Sequence, residues 1–358
     1  MGTRAAEYML VGEKLFMCRE GRLMAAQSRR TLVYHTLLLT GVSLLLRTAG
    51  LFYRARMTAR LGTEGMGLYT LVQTAFLFAV TLATSGLGTA VTRVEAENLG
   101  AGQSVRDVVP RALLYALPLG TLAGALLFFG AEGVSLRLLA DGRAARALRI
   151  LAPALPVMSA AAVLRGSLYA RRRVLAPALS DILEQGVEMA VFFVLSRHTR
   201  GAEAGCAAVA LGTTLSELAS CALLALASLP PHRSRRGIPR ACPPAPEISR
   251  ERDVPRGGSV PRNAVLRRFL RIALPVSGSA CLGAGLRAVE NALIPRGLEA
   301  WGARHAEALA LYGQVRGIAL PLIFYPAAFL PALSSLLVPE LAGARAEGRV
   351  RTQYGAIC

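Results

Sequence analysis

The sequence predicts an all-α integral membrane protein, a polytopic bundle of about eight transmembrane helices. Of its 358 residues, 53% are hydrophobic and the mean hydropathy is +0.44, which is too apolar for a water-soluble globule of this size. Apolar stretches of the length that crosses a bilayer core recur along the chain. Segment 112–130 has almost no polar face, whereas a soluble helical repeat protein would need one on every helix.

Eight stretches have the length and hydropathy of spanning helices. They are residues 34–57, 66–94, 112–131, 148–170, 176–196, 204–229, 266–294 and 307–338. Residues 230–262 are so dense in Pro, Arg and Gly that they cannot bury a core, and they predict a disordered cytoplasmic linker. The linker separates a first six-helix lobe, residues 34–229, from the first two helices of a second lobe, residues 263–341.

The two ends of the chain are predicted to be cytoplasmic. Residues 1–33 carry charges of both signs and lack the hydrophobic core of a signal peptide, so the first spanning helix is its own insertion signal. Met24 offers an alternative start, in which case residues 1–23 are not native. Residues 342–358 form a basic cytoplasmic tail.

The formal net charge of +19 raises the question of nucleic-acid binding, which depends on where the charges lie. Of the 41 Lys and Arg residues, 25 fall in segments on the side of the N-terminus and 8 in the segments between them. This is the positive-inside pattern, and it places the N-terminus in the cytoplasm. The basic segments also lack the interleaved aromatic residues that stack on nucleotides, so we expect no nucleic-acid partner.

Three blocks of sequence resemble one family. Residues 47–100 contain TEGMGLY, residues 151–188 contain the Pro-rich helix, and residues 270–341 end in LSSLLVPEL. Together they resemble the polysaccharide-biosynthesis family that includes stage V sporulation protein B, within the multidrug, oligosaccharidyl-lipid and polysaccharide exporter superfamily. The resemblance implies two six-helix lobes around a central cavity in a bacterial plasma membrane, and this chain is expected to be truncated about two helices into the second lobe.

Arginines in the apolar helices are candidate substrate ligands. Arg47 and Arg54 are seven residues apart and point within about 20° of each other on a helix. An arginine at bilayer depth costs about 2.5–3.5 kcal/mol, so it normally faces a wet cavity or a partner, and its planar fork suits a diphosphate. The resemblance adds Arg316, since related lipid-precursor flippases carry a cavity arginine in that helix. Alternatively, Arg54, Arg56 and Arg60 extend to the outer interface as anchors.

Glu184 and Glu188 are four residues apart, so both carboxylates lie on one face of a membrane helix. Such a pair can bind a proton or a sodium ion for coupling. Equally, the two carboxylates can neutralise Arg165 or Arg287. Because Arg287 and Glu290 are three residues apart, we expect these two side chains to pair with each other.

The prolines indicate where helices bend. Pro153 and Pro156 lie in one predicted helix, and Pro321, Pro326 and Pro331 lie in another. Each proline removes a backbone donor and loosens its helix, which a membrane protein tolerates where neighbours or cavity water satisfy the freed carbonyls. The five-residue spacing in the second set predicts a bent gate helix. Kinking for packing alone is the alternative.

These features together predict a non-enzymatic flippase that moves a lipid-linked oligosaccharide or peptidoglycan precursor by alternating access. The sequence shows no hydrolytic constellation and no phosphate-loop motif, and its six cysteines have no metal-binding spacing, so no cofactor or metal is expected. The alternatives are a drug/cation antiporter of the same superfamily, in which cavity acids would dominate, and a non-transporting membrane scaffold. The glycan, the coupling ion and any protein partner are not predicted.

Overall fold

All regular elements in the described part of the chain are helices. The computed structural model describes the backbone of residues 2–100, 108–197, 201–229 and 262–325. It describes side chains for residues 40–99, 108–197, 201–229, 271 and 275–325. By internal contacts the chain forms two compact units, one of residues 1–48 with 324–358 and one of residues 49–323. The predicted linker, 230–262, lies almost entirely outside the described residues.

Helix α1 runs from Gly2 to Thr84 and is broken at Gly62. Gly62 has φ of 73° and ψ of 176°, a conformation that side chains with a Cβ rarely adopt. The break is confined to Gly62, and the chain continues as helix from the next residue, so one glycine is enough to redirect it.

The other helices follow in chain order, joined by short connections. They are α2 (Leu87–Gly100), α3 (Val108–Gly133), α4 (Ala144–Leu151), α5 (Ala154–Ala170), α6 (Leu175–Leu195), α7 (Ala202–Ser228), α8 (Arg262–Ala300), α9 (His305–Tyr312) and α10 (Leu320–Ile323). Two π-helical turns extend α3 and α9, at Val134–Leu138 and Gly313–Ala319.

Three stretches of the described chain are long and apolar enough to cross a membrane. They are Thr40–Leu99, Val108–Leu138 and Ala202–Ser228, and a fourth is added if α4 and α5 form one bent span. Thr40–Leu99 contains 60 residues, twice or more what one crossing needs, and it covers two of the predicted spans. The prediction of an all-α polytopic membrane bundle is therefore confirmed, and the remaining predicted spans either carry more charge or run beyond the described residues.

Large apolar side chains lie both inside and outside the bundle. The main core joins the second half of α1 to α4, α5, α7 and α9, and includes Met57, Met66 and Leu309. On α3, the outward-facing Leu122, Leu126 and Phe129 are 57%, 59% and 82% exposed, which a water-soluble surface would not favour. A lipid-facing surface explains this row, because lipid tails solvate such side chains.

Helix α3 approaches α5 closely through two glycines. A Cβ on Gly120 would collide with Ser159, and a Cβ on Gly124 would lie 2.8 Å from the carbonyl oxygen of Ala152. Small residues at such positions allow helix backbones to pack tightly where no hydrophobic effect drives helices together.

Candidate functional site

An acidic pocket lies between α6 and α7, the two helices that run antiparallel after the bend in α5. Helix α6 contributes Asp181, Glu184 and Glu188, and α7 contributes Glu217, whose residue is only 6% exposed. The carboxyl groups of Glu184 and Glu217 lie close enough to interact electrostatically. Like charges so close together repel, so this part of the pocket favours a cationic partner.

Arg165 from α5 supplies positive charge at one end of this pocket. Its Nη2 lies 3.0 Å from Asp181 Oδ1 and 3.7 Å from Glu184 Oε2. The sequence offered Arg165 as one possible partner of the α6 carboxylates, and the structure makes this contact through Glu184. One guanidinium thus faces several carboxyl groups, so the pocket keeps a capacity to hold a proton or another cation.

Glu188 occupies the other end of the pocket, where α6, α7 and α1 meet. The hydroxyl of Thr213 donates a hydrogen bond of 3.3 Å to Glu188 Oε1. At Gly212 a Cβ would lie 3.2 Å from the backbone oxygen of Glu188, so the missing side chain lets α7 approach α6. From α1, Arg54 interacts electrostatically with Glu188, and the hydroxyl of Tyr53 is buried with no hydrogen-bond partner among the described residues.

Sequence reasoning identified Glu184 and Glu188 in this pocket but missed Asp181 and Glu217. The missed signal for Glu217 is a polar stripe on an otherwise apolar helix. Thr213, Glu217 and Ser220 recur at helical spacing and therefore share one face of α7. Such a stripe in a membrane helix indicates a surface that faces other polar groups rather than lipid. Among the described residues, no group of three or more His, Cys, Asp or Glu side chains is arranged to hold a metal ion.

The three predicted substrate arginines have different surroundings. Arg54 is half-buried beside Glu188. Arg316 lies in the π-helical turn after α9, and its Nη2 is 2.8 Å from Glu290 Oε1 on α8. Arg47 is exposed on α1 and belongs to the other compact unit, where its neighbour Thr48 hydrogen-bonds to Tyr325 at 2.7 Å.

The expected pair of Arg287 with Glu290 is replaced by the pair of Arg316 with Glu290. The Arg287 side chain instead runs back along α8, with its guanidinium nitrogens 3.8 and 3.9 Å from the position of a Cβ on Gly283. The Arg287 guanidinium therefore lies toward the N-terminal side of its own helix position, the direction in which helical side chains lean. This leaves Glu290 for the arginine on the neighbouring helix.

The prolines mark two irregular places. Between α4 and α5 the chain bends by 42°, and Pro153 is the residue at the start of α5, with Pro156 in its first turn. Pro321 lies in α10, directly after the π-helical turn Gly313–Ala319. Pro326 and Pro331 lie outside the described residues, so the gate helix predicted from all three remains a prediction.

Ionisable groups that lie inside apolar helices, with counter-charges on neighbouring helices, are candidate functional groups of a membrane protein. Comparison with known families identifies the class of protein. The model of the family described as polysaccharide biosynthesis protein matches residues 32–235, more than half of the chain. The chain therefore belongs to this family, as its sequence resemblance predicted.

A curated relative gives a finer comparison. The chain is 24% identical over 320 residues to stage V sporulation protein B of Bacillus subtilis (strain 168). The alignment covers 88% of this chain and 58% of that protein, so the chain spans less than two thirds of the relative's length.

Solved structures share the fold. One is an inward-facing multidrug resistance MATE family transporter of the MOP superfamily, at 18% identity and a TM-score of 0.56, covering 88% of this chain and 65% of that one. Another is a MOP superfamily transporter from Pyrococcus furiosus whose binding pocket is described as having reverse polarity. It is 17% identical with a TM-score of 0.53, and the match covers 90% of this chain and 67% of that one.

Proposed function

We propose that this chain belongs to a flippase that carries a lipid-linked oligosaccharide or peptidoglycan precursor across a bacterial plasma membrane by alternating access. Membership of the polysaccharide-biosynthesis family and similarity to a sporulation protein support a role in polysaccharide, cell-wall or spore-cortex assembly. The surplus of basic residues in alternate segments supports a cytoplasmic N-terminus. The substrate is moved unchanged, so no enzymatic step is involved.

The observation that carries the proposal is the contact of Arg316 with Glu290, in which Nη2 lies 2.8 Å from Oε1. A second predicted substrate arginine, Arg54, interacts electrostatically with Glu188. Without its carboxylate, a guanidinium in an apolar surrounding would be a costly unpaired charge. A diphosphate offers pairs of non-bridging oxygens that accept two guanidinium N–H groups, with more negative charge than a carboxylate, so it can take the place of the carboxylate on each arginine.

This exchange of partners provides a coupling step. When a diphosphate occupies Arg54, Glu188 loses its cationic neighbour and becomes neutral by taking up a proton, with Thr213 next to it as a hydrogen-bonding group. Glu184 and Glu217 interact electrostatically in the same pocket, and this supports a site where close carboxyl groups favour a proton or another cation. The driving force is then a proton gradient or the membrane potential, which supplies about 2.3 kcal/mol per charge per 100 mV.

The test is binding and translocation of a fluorescent lipid-diphosphate-sugar by protein in detergent and in proteoliposomes. We expect Arg54→Ala and Arg316→Ala each to weaken binding by about 10-fold or more, the effect of losing a charge-assisted contact of about 1.5–3 kcal/mol. Arg56→Ala is the matched control, because Arg56 is an exposed arginine on α1 whose guanidinium lies 5.0 Å from the Phe52 ring. Equal loss of binding in the control and in Arg54→Ala would contradict the proposal.

The acidic pocket also supports a second candidate, a drug/cation antiporter. Four carboxyl groups lie between α6 and α7, with Arg165 and Arg54 as their cationic neighbours, and this excess of negative charge attracts organic cations. Competition separates the two candidates. A flippase retains its lipid-diphosphate binding in excess of a lipophilic cation such as rhodamine, and an antiporter binds the cation in a manner that Glu188→Gln abolishes.

A further inference from the structure

A cluster of charged side chains joins three segments that the sequence places on the outer side of the membrane. Arg143 lies in the connection between α3 and α4, and its Nη2 is 2.7 Å from Asp141 Oδ2. Its Nη1 is 2.8 Å from Glu64 Oε1, just after the break in α1. The Asp141 side chain is 4% exposed, and the Ser135 hydroxyl donates to the Asp141 carbonyl oxygen at 2.5 Å. The connection is therefore held in one conformation.

A histidine from the α8–α9 hairpin completes this cluster. His305 Nδ1 lies 2.5 Å from Glu299 Oε1, and its Nε2 lies 3.4 Å from Asp141 Oδ2. A carboxylate accepts hydrogen bonds but does not donate them, and a neutral imidazole has one N–H. Donation to both carboxylates therefore requires the doubly protonated, positively charged ring. This arrangement depends on the charge of His305.

The electrostatic environment supports the charged ring. Burial by itself lowers the pKa of His305, but the hydrogen bonds and negative charges of Glu299 and Asp141 outweigh it and raise the pKa above its ordinary value. Burial likewise acts to raise the pKa of Asp141, and the hydrogen bonds and charge of Arg143 reverse this effect and lower it. At mildly acidic pH, therefore, His305 is positively charged while Asp141 is ionised.

The same hairpin also contacts α1 backbone to backbone. A Cβ on Gly67 would collide with the carbonyl oxygen of Leu309, and a Cβ on Gly313 would collide with the carbonyl oxygen of Thr63. Helix α9, which begins at His305, thus crosses α1 at van der Waals distance just after its break. Closely packed surfaces of this kind either fit or separate, and they do not deform gradually.

We propose that His305, with Asp141, Arg143, Glu64 and Glu299, forms a pH-sensitive latch that holds the α8–α9 hairpin against α1 and the α3–α4 connection when the imidazole is protonated. The latch rests on the proposed function, because it controls the outer side of an alternating-access transporter. It closes that side in mild acid and releases it in mild alkali.

The direction of the pH effect follows from the raised pKa of His305. The stabilisation of the closed outer side is complete when the ring is protonated in both conformations, and it is lost as pH rises through the pKa of the latched ring. Further charged groups nearby are Arg304 and Glu307 on the hairpin, and Arg146 with Glu203 on α4 and α7. Among the side-chain types in the cluster and these neighbours, only imidazole ordinarily titrates between about pH 5 and 8.

The latch is tested by pulsed EPR distance measurement in nanodiscs. Spin labels are placed at Arg146→Cys and Trp301→Cys in a background without the native cysteines, because both side chains are exposed, at 66% and 95%. We expect the ratio of short to long distances to fall by about two- to fivefold between pH 6 and pH 8.5, the size of a partly exposed ion pair.

Two substitutions fix the charge of residue 305 in opposite directions. In His305→Gln the distance distribution should match that of the parent at pH 8.5 at every pH, and in His305→Arg it should match that of the parent at pH 6. Arg93→Gln, which breaks an exposed pair with Glu97 at 3.1 Å on α2, is the control and should leave the pH response unchanged. A parent distribution that does not change with pH, or one whose change survives both His305 substitutions, would overturn the latch.

This measurement needs no substrate, so it separates the latch from the proposed function. If the distance depends on pH but the protein neither binds nor moves lipid-diphosphate-sugar, the latch proposal stands and the proposed flippase function is refuted. If the protein translocates this substrate but the distance does not depend on pH, the flippase function stands and the latch proposal is refuted.

Discussion

The crossing of α1 and α9 provides a sharp test of the packing. In Gly67→Ala the new methyl group would collide with the carbonyl oxygen of Leu309, which belongs to the backbone and cannot rotate away. The helices must separate by about 1 Å or more to restore ordinary contact, and overpacking of this kind costs about 1–3 kcal/mol. Replacing a helical glycine by alanine also gains about 0.5–1 kcal/mol, which hides part of this cost.

Gly130→Ala separates the two effects. Gly130 lies inside α3, and a Cβ there meets nothing within 4 Å, so this variant reports the helix gain alone. The difference between the two variants isolates the collision, and it should appear as a melting temperature about 2–10 °C lower for Gly67→Ala. The assay is thermal denaturation of purified protein followed by size-exclusion chromatography. Equal melting temperatures for the two alanine variants would refute the close crossing.

Three further predictions concern stability and use the same assay. Arg171→Ala should destabilise the folded protein by about 3–5 kcal/mol, because it leaves the Glu95 carboxylate buried without its partner. Glu95 is 0% exposed, and its Oε1 lies 2.6 Å from Arg171 Nε. A loss below about 1 kcal/mol would contradict this prediction. Arg172→Gly should raise the melting temperature, since Arg172 has φ of 56°, and a decrease would count against backbone strain there. Tyr53→Phe should leave stability equal or higher, because its hydroxyl is buried with no partner among the described residues, and a clear loss would indicate a bound polar group.

Local sequence patterns predicted the membrane fold well because hydropathy acts over single helices. The bilayer imposes a length and an apolar composition on each span, and both are visible without knowledge of neighbours. Proline chemistry likewise gave the position of the bend before α5, and Gly62 could be recognised as a turn. The length of that turn could not be predicted, since residues 63–67 contain nothing that prevents a helix.

Partners across helices were harder to predict. The pairing of Glu290 with Arg316 depends on which faces of α8 and the turn after α9 meet, and the sequence suggested the nearer Arg287 instead. Glu217 lies on α7, and no local sequence pattern shows that it meets Glu184 on α6. The cluster around His305 combines three segments far apart in the chain, so no local sequence pattern indicates it.

Helix α3 packs against the bend before α5, and this contact limits how far the bend angle can change. Gly124 leaves space for the Ala152 carbonyl, and Gly120 leaves space for Pro156 and Ser159, so α3 follows the bent backbone over two turns. A change in the angle would have to move α3 as well, because the contacts leave no space for α5 to bend alone. Arg165 lies near the far end of α5, so small side chains on α3 determine where the positive charge meets the carboxylates of α6.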